Sequence, residues 1–320
     1  MDEGVERFSI IIEDQALKLP LHRFAHEAMG TIFGVSILDG KAEYAQSAAR
    51  VAFEEVDRLE RLMSRFIEGS DVWRINHLNP GSWTPVDADT LRCIQLAQQI
   101  TTETNGAFDI TIGPLITYWQ QVNRPAKPDN EQAFHEAAVR TGMELLEISE
   151  SAHGVGVRAE GVQIDLGGIG KGYAVDRMME ILKEREIPTA LAHGGQSTVL
   201  AAGAIPGGEG WPLTLCNPQN PSKVWTKLFL RDRALSGSGL LIQNEHIIDP
   251  GTCEPVRDKL RAWAQAESAA VSDALATAFM VMAKNQVQQY CKNHKHTGAV
   301  LALVTEDGCK MEILGTEITK

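Results

Sequence analysis

No stretch of the 320-residue chain reaches the roughly 18 consecutive apolar residues that a membrane-spanning helix requires. The start, Met1-Asp2-Glu3-Gly4 running into Ile10-Ile11-Ile12, lacks the basic opening and the longer apolar run of an export signal. As it stands the sequence reads as cytoplasmic; a periplasmic or membrane-anchored place would require that an export signal had been removed. There is no CxxC pair either. Cys93, Cys216, Cys253, Cys291 and Cys309 are odd in number and scattered, which argues against a zinc site or a disulfide framework and for reduced, buried thiols. Basic residues are in deficit, with 30 Lys and Arg against 42 Asp and Glu. The net charge of -12 excludes a general nucleic-acid binder. It does not exclude a local phosphate site made from backbone N–H groups and a metal. No repeat, low-complexity segment or linker is visible, and 43% hydrophobic with 22% charged residues fits a globular chain.

Apolar spacing places strands in residues 24–38, clearest over 31–37, and a helix over about 41–66. A second helix is expected over 89–104, with Asp87 or Asp89 as its cap and Asn105-Gly106 as its stop. After a loop at 123–128 a third helix begins near Asp129. Residues 161–166 alternate as a strand, followed by the glycine cluster and a helix, and 189–192 form the next strand. Residues 206–212 and 218–221 read as loops. Residues 268–283 form an apolar helix capped by Ser268, and the chain closes in a hairpin turning at Glu306-Asp307-Gly308. The expectation is an α+β protein: residues 1–23 an N-terminal extension, and 24–320 one domain of two intimately packed lobes.

Two segments carry chemistry. Asp165-Leu-Gly-Gly-Ile-Gly-Lys-Gly172 lies at a strand-to-helix junction, where glycines let backbone N–H groups approach a phosphate. It is not a P-loop, since Asp165 stands where that motif needs Gly and Gly172 where it needs Ser or Thr. It is not GxGxxG either, since Tyr173 takes the last glycine's place. A bare structural turn explains it equally well on its own. In Val271-Ser-Asp-Ala-Leu-Ala-Thr-Ala278, Asp273 and Thr277 are four apart on one helix face, two oxygen donors suited to a hard cation such as Mg²⁺. The competing explanation is a satisfied buried carboxylate.

In combination these segments are far more specific. In order come Met29-Gly-Thr31, Met63-Ser-Arg-Phe66 and Arg74-Ile-Asn76, then Gly106-Ala-Phe-Asp-Ile-Thr-Ile-Gly-Pro-Leu115 and Asp165 to Tyr173. Gly194-Gly195, Ser238-Gly239, His246-Ile-Ile-Asp-Pro250 and Asp273-Ala-Leu-Ala-Thr277 follow. The series resembles the ApbE family, the FAD:protein FMN transferases, over nearly all of the chain from about residue 25. The resemblance implies a T-fold-like α+β architecture of mixed and antiparallel sheets flanked by helices. It implies Mg²⁺-dependent transfer of FMN from FAD to a Thr or Ser of an acceptor flavoprotein, with release of AMP; Mn²⁺ is the alternative ion. Flavin contacts fall on Met29, Phe66, Ala107, Phe108, Asp109, Asp165, Lys171 and Ile247. The metal falls on Asp273, Thr277 and the Gly168 carbonyl, with Ala276 nearby. His246 is the candidate general base, with Asp273 its catalytic companion through the metal; His193 is a second candidate base, and Asp249 is expected to fix the turn. Hydrolysis of FAD to FMN and AMP, and FAD binding without turnover, are the rival activities.

Three departures stand out. Phe66 replaces a Tyr, keeping a stacking face without the hydroxyl. Ser236-Gly237-Ser238-Gly239 stands for Ala-Thr-Ser-Gly, one hydroxyl fewer near the phosphates. Cys253 replaces a Gly at a place that calls for positive φ.

Overall fold

A computed structural model describes residues 20–122, 131–240, 247–306, 308–315 and 318. The chain begins with β1 (Leu21–Ala28), β2 (Thr31–Leu38), α1 (Ala42–Met63), α2 (Asp71–Ile75), β3 (Trp83–Pro85) and α3 (Ala88–Glu103). It continues with α4 (Gly113–Val122), α5 (Glu131–Val139), β4 (Leu146–Ser149), β5 (Gly154–Val157), α6 (Gly170–Glu184), β6 (Ala190–Gly194) and β7 (Thr198–Ala202). Then come β8 (Trp211–Asn217), β9 (Asn220–Leu230), β10 (Ala234–Gly239), β11 (Lys259–Ala266), α7 (Ala269–Val281), α8 (Lys284–Asn293), β12 (Gly298–Thr305) and β13 (Gly308–Leu314).

Eight strands form one antiparallel sheet in the order β1-β2-β6-β7-β10-β11-β12-β13; β3-β5-β4 form a smaller sheet and β8-β9 a hairpin. Period-two alternation divides the large sheet's faces. Ala190, Ala192, Leu200, Ala262 and Ala264 join the main core with α1, α6 and α7. Leu191, Val199, Ala201 and Trp263 point the other way, under Trp211, Leu213 and Leu228 of the β8–β9 hairpin. Small alanines on the helical face let α7 lie close to the sheet. That helix is apolar nearly all round, as a fully enclosed helix must be.

α6 and α7 cap each other. Asp176 of α6 accepts the N–H groups of Ala269 (2.7 Å) and Ala270 (2.9 Å) and the Ser268 hydroxyl (2.7 Å) at the start of α7. Asp273 of α7 accepts the Gly172 N–H (3.1 Å) at the start of α6. Each carboxylate satisfies donors that a helix start leaves without an intrahelical partner. The other end of α7 meets Lys259, 1% exposed, whose ammonium donates to the Met280 carbonyl (3.0 Å) and to Asp258 (2.9 Å). A cation there complements the helix dipole. Tyr173 in turn donates to Asp89 of α3 (2.8 Å), and Arg58 and Arg177 bind the same carboxylate. Burial, with Asp89 alongside, raises the Tyr173 phenol, so it stays a donor.

The expected strand at 161–166 is an extended segment with a single bridge, Gln163 to Ile112. Its donors go to loop partners instead of a ladder: Ile164 N–H to the Asn76 side chain (2.7 Å) and Asp165 N–H to the Ile110 carbonyl (2.7 Å). The first long helix stops at Met63, three residues short of expectation, because Ser64 turns to extended geometry. Residues 206–212 and 218–221 are not all loop; β8 starts at Trp211 and β9 at Asn220. Asp87 and Ser268 cap α3 and α7 as the sequence indicates. The loop 123–128, the start near Asp129 and Asp307 of the last turn lie outside the described residues, although Thr305 pairs with Gly308.

α6 and α7 touch so closely that a Cβ on Gly172 would stand 2.3 Å from the Ala269 carbonyl oxygen. Gly172→Ala is therefore expected to lower stability by about 1–3 kcal/mol, against the ~1 kcal/mol that alanine gains in a helix. Urea unfolding checks this, and a higher midpoint for the variant would refute the close approach.

Candidate functional site

A cleft of about 410 Å³ opens where the glycine bend, the flank of α7 and the end of β10 come together. The bend contributes Asp165, Gly167, Gly168 and Lys171; α7 contributes Asp273 and Thr277; β10 contributes Gly237, Ser238 and Gly239. Phe108, Ile112, Ile116 and Ile247 supply its apolar lining, with the Phe108 ring against Gly168.

Asp273 is 5% exposed, and both of its oxygens are engaged: Gly172 N–H meets Oδ2 and the Thr198 hydroxyl meets Oδ1 (3.1 Å). One turn on, Thr277 is half-buried, with Oγ1 3.5 Å from the Ser238 hydroxyl and 3.4 Å from the Asp273 carbonyl. A Cβ on Gly168 would stand 3.4 Å from the same Oγ1, so the bend and the helix flank adjoin. Lys171 donates to the Gly167 carbonyl (2.7 Å) and lies 3.9 Å from Asp273 Oδ2. Among the described residues no hydrogen bond ends on the Gly168 carbonyl. A carboxylate, a hydroxyl and an open carbonyl side by side suit a small hard cation. Among the described residues no group of three or more His, Cys, Asp or Glu side chains is placed to hold a metal ion, so any cation here would rely on Asp273 with hydroxyl and carbonyl oxygens.

The other carboxylates are partly committed. Asp109 accepts the Thr111 N–H (2.7 Å), the Thr111 hydroxyl (2.6 Å) and the Met143 N–H (3.2 Å), while burial raises its pKa. Asp165 accepts the Gly167 N–H (2.6 Å) and pairs with Arg65 (3.2 Å). Ala107, Phe108, Asp109, Asp165, Lys171 and Ile247 thus line the cleft together with Gly168, Asp273 and Thr277.

Three named residues do not line it. Met29 is half-buried in the β1–β2 turn at φ 49°. Phe66 is 83% exposed; the Ser64 hydroxyl takes its N–H (3.2 Å), and it is its neighbour Arg65 that reaches the cleft. Ala276 is fully buried inside α7. His246 lies outside the described residues, next in the chain to Ile247. Arg65, inside the Met63-Ser-Arg-Phe66 block, lines the cleft in place of Phe66; Ser197 and Arg261 line it too, and such isolated residues carry no spacing signal.

The departures have structural counterparts. Cys253 sits at φ 61°. Its turn is held by Asp249, whose Oδ1 takes the Gly251 N–H (2.8 Å), and by Trp119 donating to the Cys253 carbonyl (2.9 Å). At Gly237 a Cβ would stand 2.8 Å from the Trp263 indole.

The ApbE family profile matches residues 29–301. Among curated proteins, the FAD:protein FMN transferase of Klebsiella pneumoniae (strain 342) is 25% identical over 296 residues, covering 88% of this chain and 83% of that protein. That of Vibrio cholerae is 25% identical over 300 residues, covering 88% and 87%. Among solved structures, the ApbE protein of Thermotoga maritima superposes with a TM-score of 0.81 at 27% identity, covering 92% of this chain and 97% of that one. The flavin transferase ApbE of Vibrio cholerae superposes at 0.82 and 23% identity, covering 93% and 99%. The mixed α/β architecture with its antiparallel sheet matches theirs.

His193 does not line the cleft. Its Nδ1 meets the Gly195 carbonyl (2.9 Å), and its ring fills the space above Gly34, whose Cβ would stand 2.1 Å from Nε2. Burial lowers its pKa. The unfolded chain therefore takes up this proton at a higher pH than the folded one. Stability falls as pH drops below the ordinary histidine value of about 6.5. His193→Gln is expected to flatten the fall in Tm between pH 7 and pH 5; identical slopes would exclude His193 as its source.

Proposed function

The chain belongs to the ApbE family, and we propose that it transfers FMN from FAD to a Thr or Ser hydroxyl of an acceptor flavoprotein, releasing AMP, with Mg²⁺ bound at Asp273, Thr277 and the Gly168 carbonyl. The observation that carries this reading is the meeting of the glycine bend with the Asp273–Thr277 flank inside one cleft. A second hollow of about 360 Å³ adjoins it across Ala107, Asp109 and Pro250, so the two together offer room for a dinucleotide.

Bound Mg²⁺ supplies Lewis acidity and neutralises charge on the pyrophosphate oxygens. The chain's residues do the rest. Thr198 and the Gly172 N–H fix the plane of the Asp273 carboxylate. Lys171 offers a mobile positive charge to a phosphate. Phe108, Ile112 and Ile247 give the flat flavin ring an apolar wall. The acceptor hydroxyl forms its new bond to the FMN-side phosphorus as the pyrophosphate P–O bond breaks and AMP departs. His246 is the base assigned to that hydroxyl's proton.

Incubation with FAD, Mg²⁺ and a candidate acceptor, followed by mass spectrometry, tests the reading. Covalent FMN on the acceptor supports it; free FMN and AMP alone make the protein a hydrolase, and intact FAD makes it a binding protein. Asp273→Asn keeps an acceptor for the Gly172 N–H, so it isolates the metal role from the capping role. Transfer should fall further than the ~10–100-fold that loss of a supporting partner costs, and unchanged turnover would remove Asp273 from the metal site. For His246→Ala the expected loss is about 10²–10⁴-fold in kcat with little change in FAD affinity; the opposite pattern makes it a binding residue.

A further inference from the structure

β10 parts from β7 after Ser236. The register Ala234–Leu200, Leu235–Val199, Ser236–Thr198 ends there, and one further bond joins Gly237 N–H to the Ser197 carbonyl (2.7 Å). Pairing with β11 runs on to Gly239–Arg261. At this parting both Gly237 and Gly239 lack side chains, and Arg261 fills the space they leave. A Cβ on Gly237 would stand 3.1 Å from Arg261 Nε, and one on Gly239 3.1 Å from Arg261 Cγ. Trp263, two residues along β11, backs the guanidinium at 5.1 Å and is itself wedged against Trp225 of β9. Arg261 is 8% exposed and lines the cleft at its β10 wall, where Ser238 and Thr277 also stand.

A guanidinium keeps its charge at any working pH and presents a planar fork suited to phosphate oxygens. Steered onto an aromatic face, it also loses little further freedom on binding. In a chain of net charge -12 the general field opposes an anionic ligand, so fixed local cations decide whether one is held. We infer that Arg261, aimed across the side-chain-free end of β10 by Trp263, is an anion-binding residue of the cleft that recognises the pyrophosphate of the dinucleotide. The role rests on the FAD reading above and adds to it a contact from β11.

The test measures binding of FAD, ADP and riboflavin to the wild type, Arg261→Met and Arg261→Lys, in the presence of Mg²⁺. Both substitutions keep a long stem against Trp263. Arg261→Met should weaken FAD and ADP at least tenfold and leave riboflavin within twofold; Arg261→Lys should fall between. FAD affinity unchanged in Arg261→Met, or riboflavin weakened as much as FAD, overturns the assignment. If Arg261→Met does not fold, Arg261→Lys decides: a threefold or greater drop in the ratio of FAD to riboflavin affinity supports the role, and an unchanged ratio refutes it. Wild-type protein that binds no FAD would instead sink the functional reading itself, so the two failures are distinguishable.

Discussion

The mutual capping of α6 and α7 is the constraint from which the rest of the site follows. Asp176 closes the start of one helix and Asp273 the start of the other. Neither contact is possible unless the helices nearly touch, which is why Gly172 faces the Ala269 carbonyl with no side chain between. That separation places Thr277 beside Gly168. The sheet contributes by presenting alanines to α7, and Lys259 holds the helix at its far end. The Asp273 carboxylate, the Thr277 hydroxyl and the glycine bend thus come side by side as a by-product of helix packing.

The cleft combines two kinds of wall. One consists of the bend, the α7 flank and the strand ends, joined by the buried hydrogen bonds of Asp273. The other, around Ile247, Ile248 and Pro250, is a turn held by Asp249 and Trp119. Arg65, Lys171 and Arg261 place three cations against Asp109, Asp165 and Asp273. A strongly acidic protein thereby presents a locally balanced surface, and the repulsion expected from its net charge is offset where an anion would sit.

Much of this was readable in the chain. The continuous apolar run, the cap at Ser268 and the four-residue step from Asp273 to Thr277 indicate α7 and its polar pair with no tertiary information. The glycine cluster is equally visible, although its partner is not: nothing local says that Gly172 must meet Ala269. Residues 161–166 alternate like a strand because their side chains do face in and out, yet their backbone bonds run to Asn76 and Ile110, a pairing set by tertiary contacts. α4 carries no cap signal in the sequence, and its Tyr118 and Trp119 gain their place by packing on Phe134 of α5. Arg261 carries no local signal for a simpler reason. A single arginine gains meaning only from the groups a fold sets around it.

Asp273 serves the architecture as well as the chemistry proposed for it, and this bears on how divergent relatives should be judged. A descendant that had abandoned turnover would still be under selection to keep an acceptor at this position, or its two helices would drift apart. An acid there is consequently a poor witness to activity. Thr277 holds nothing together through its long 3.4 and 3.5 Å contacts, so the persistence of its hydroxyl is the more telling sign of a working enzyme.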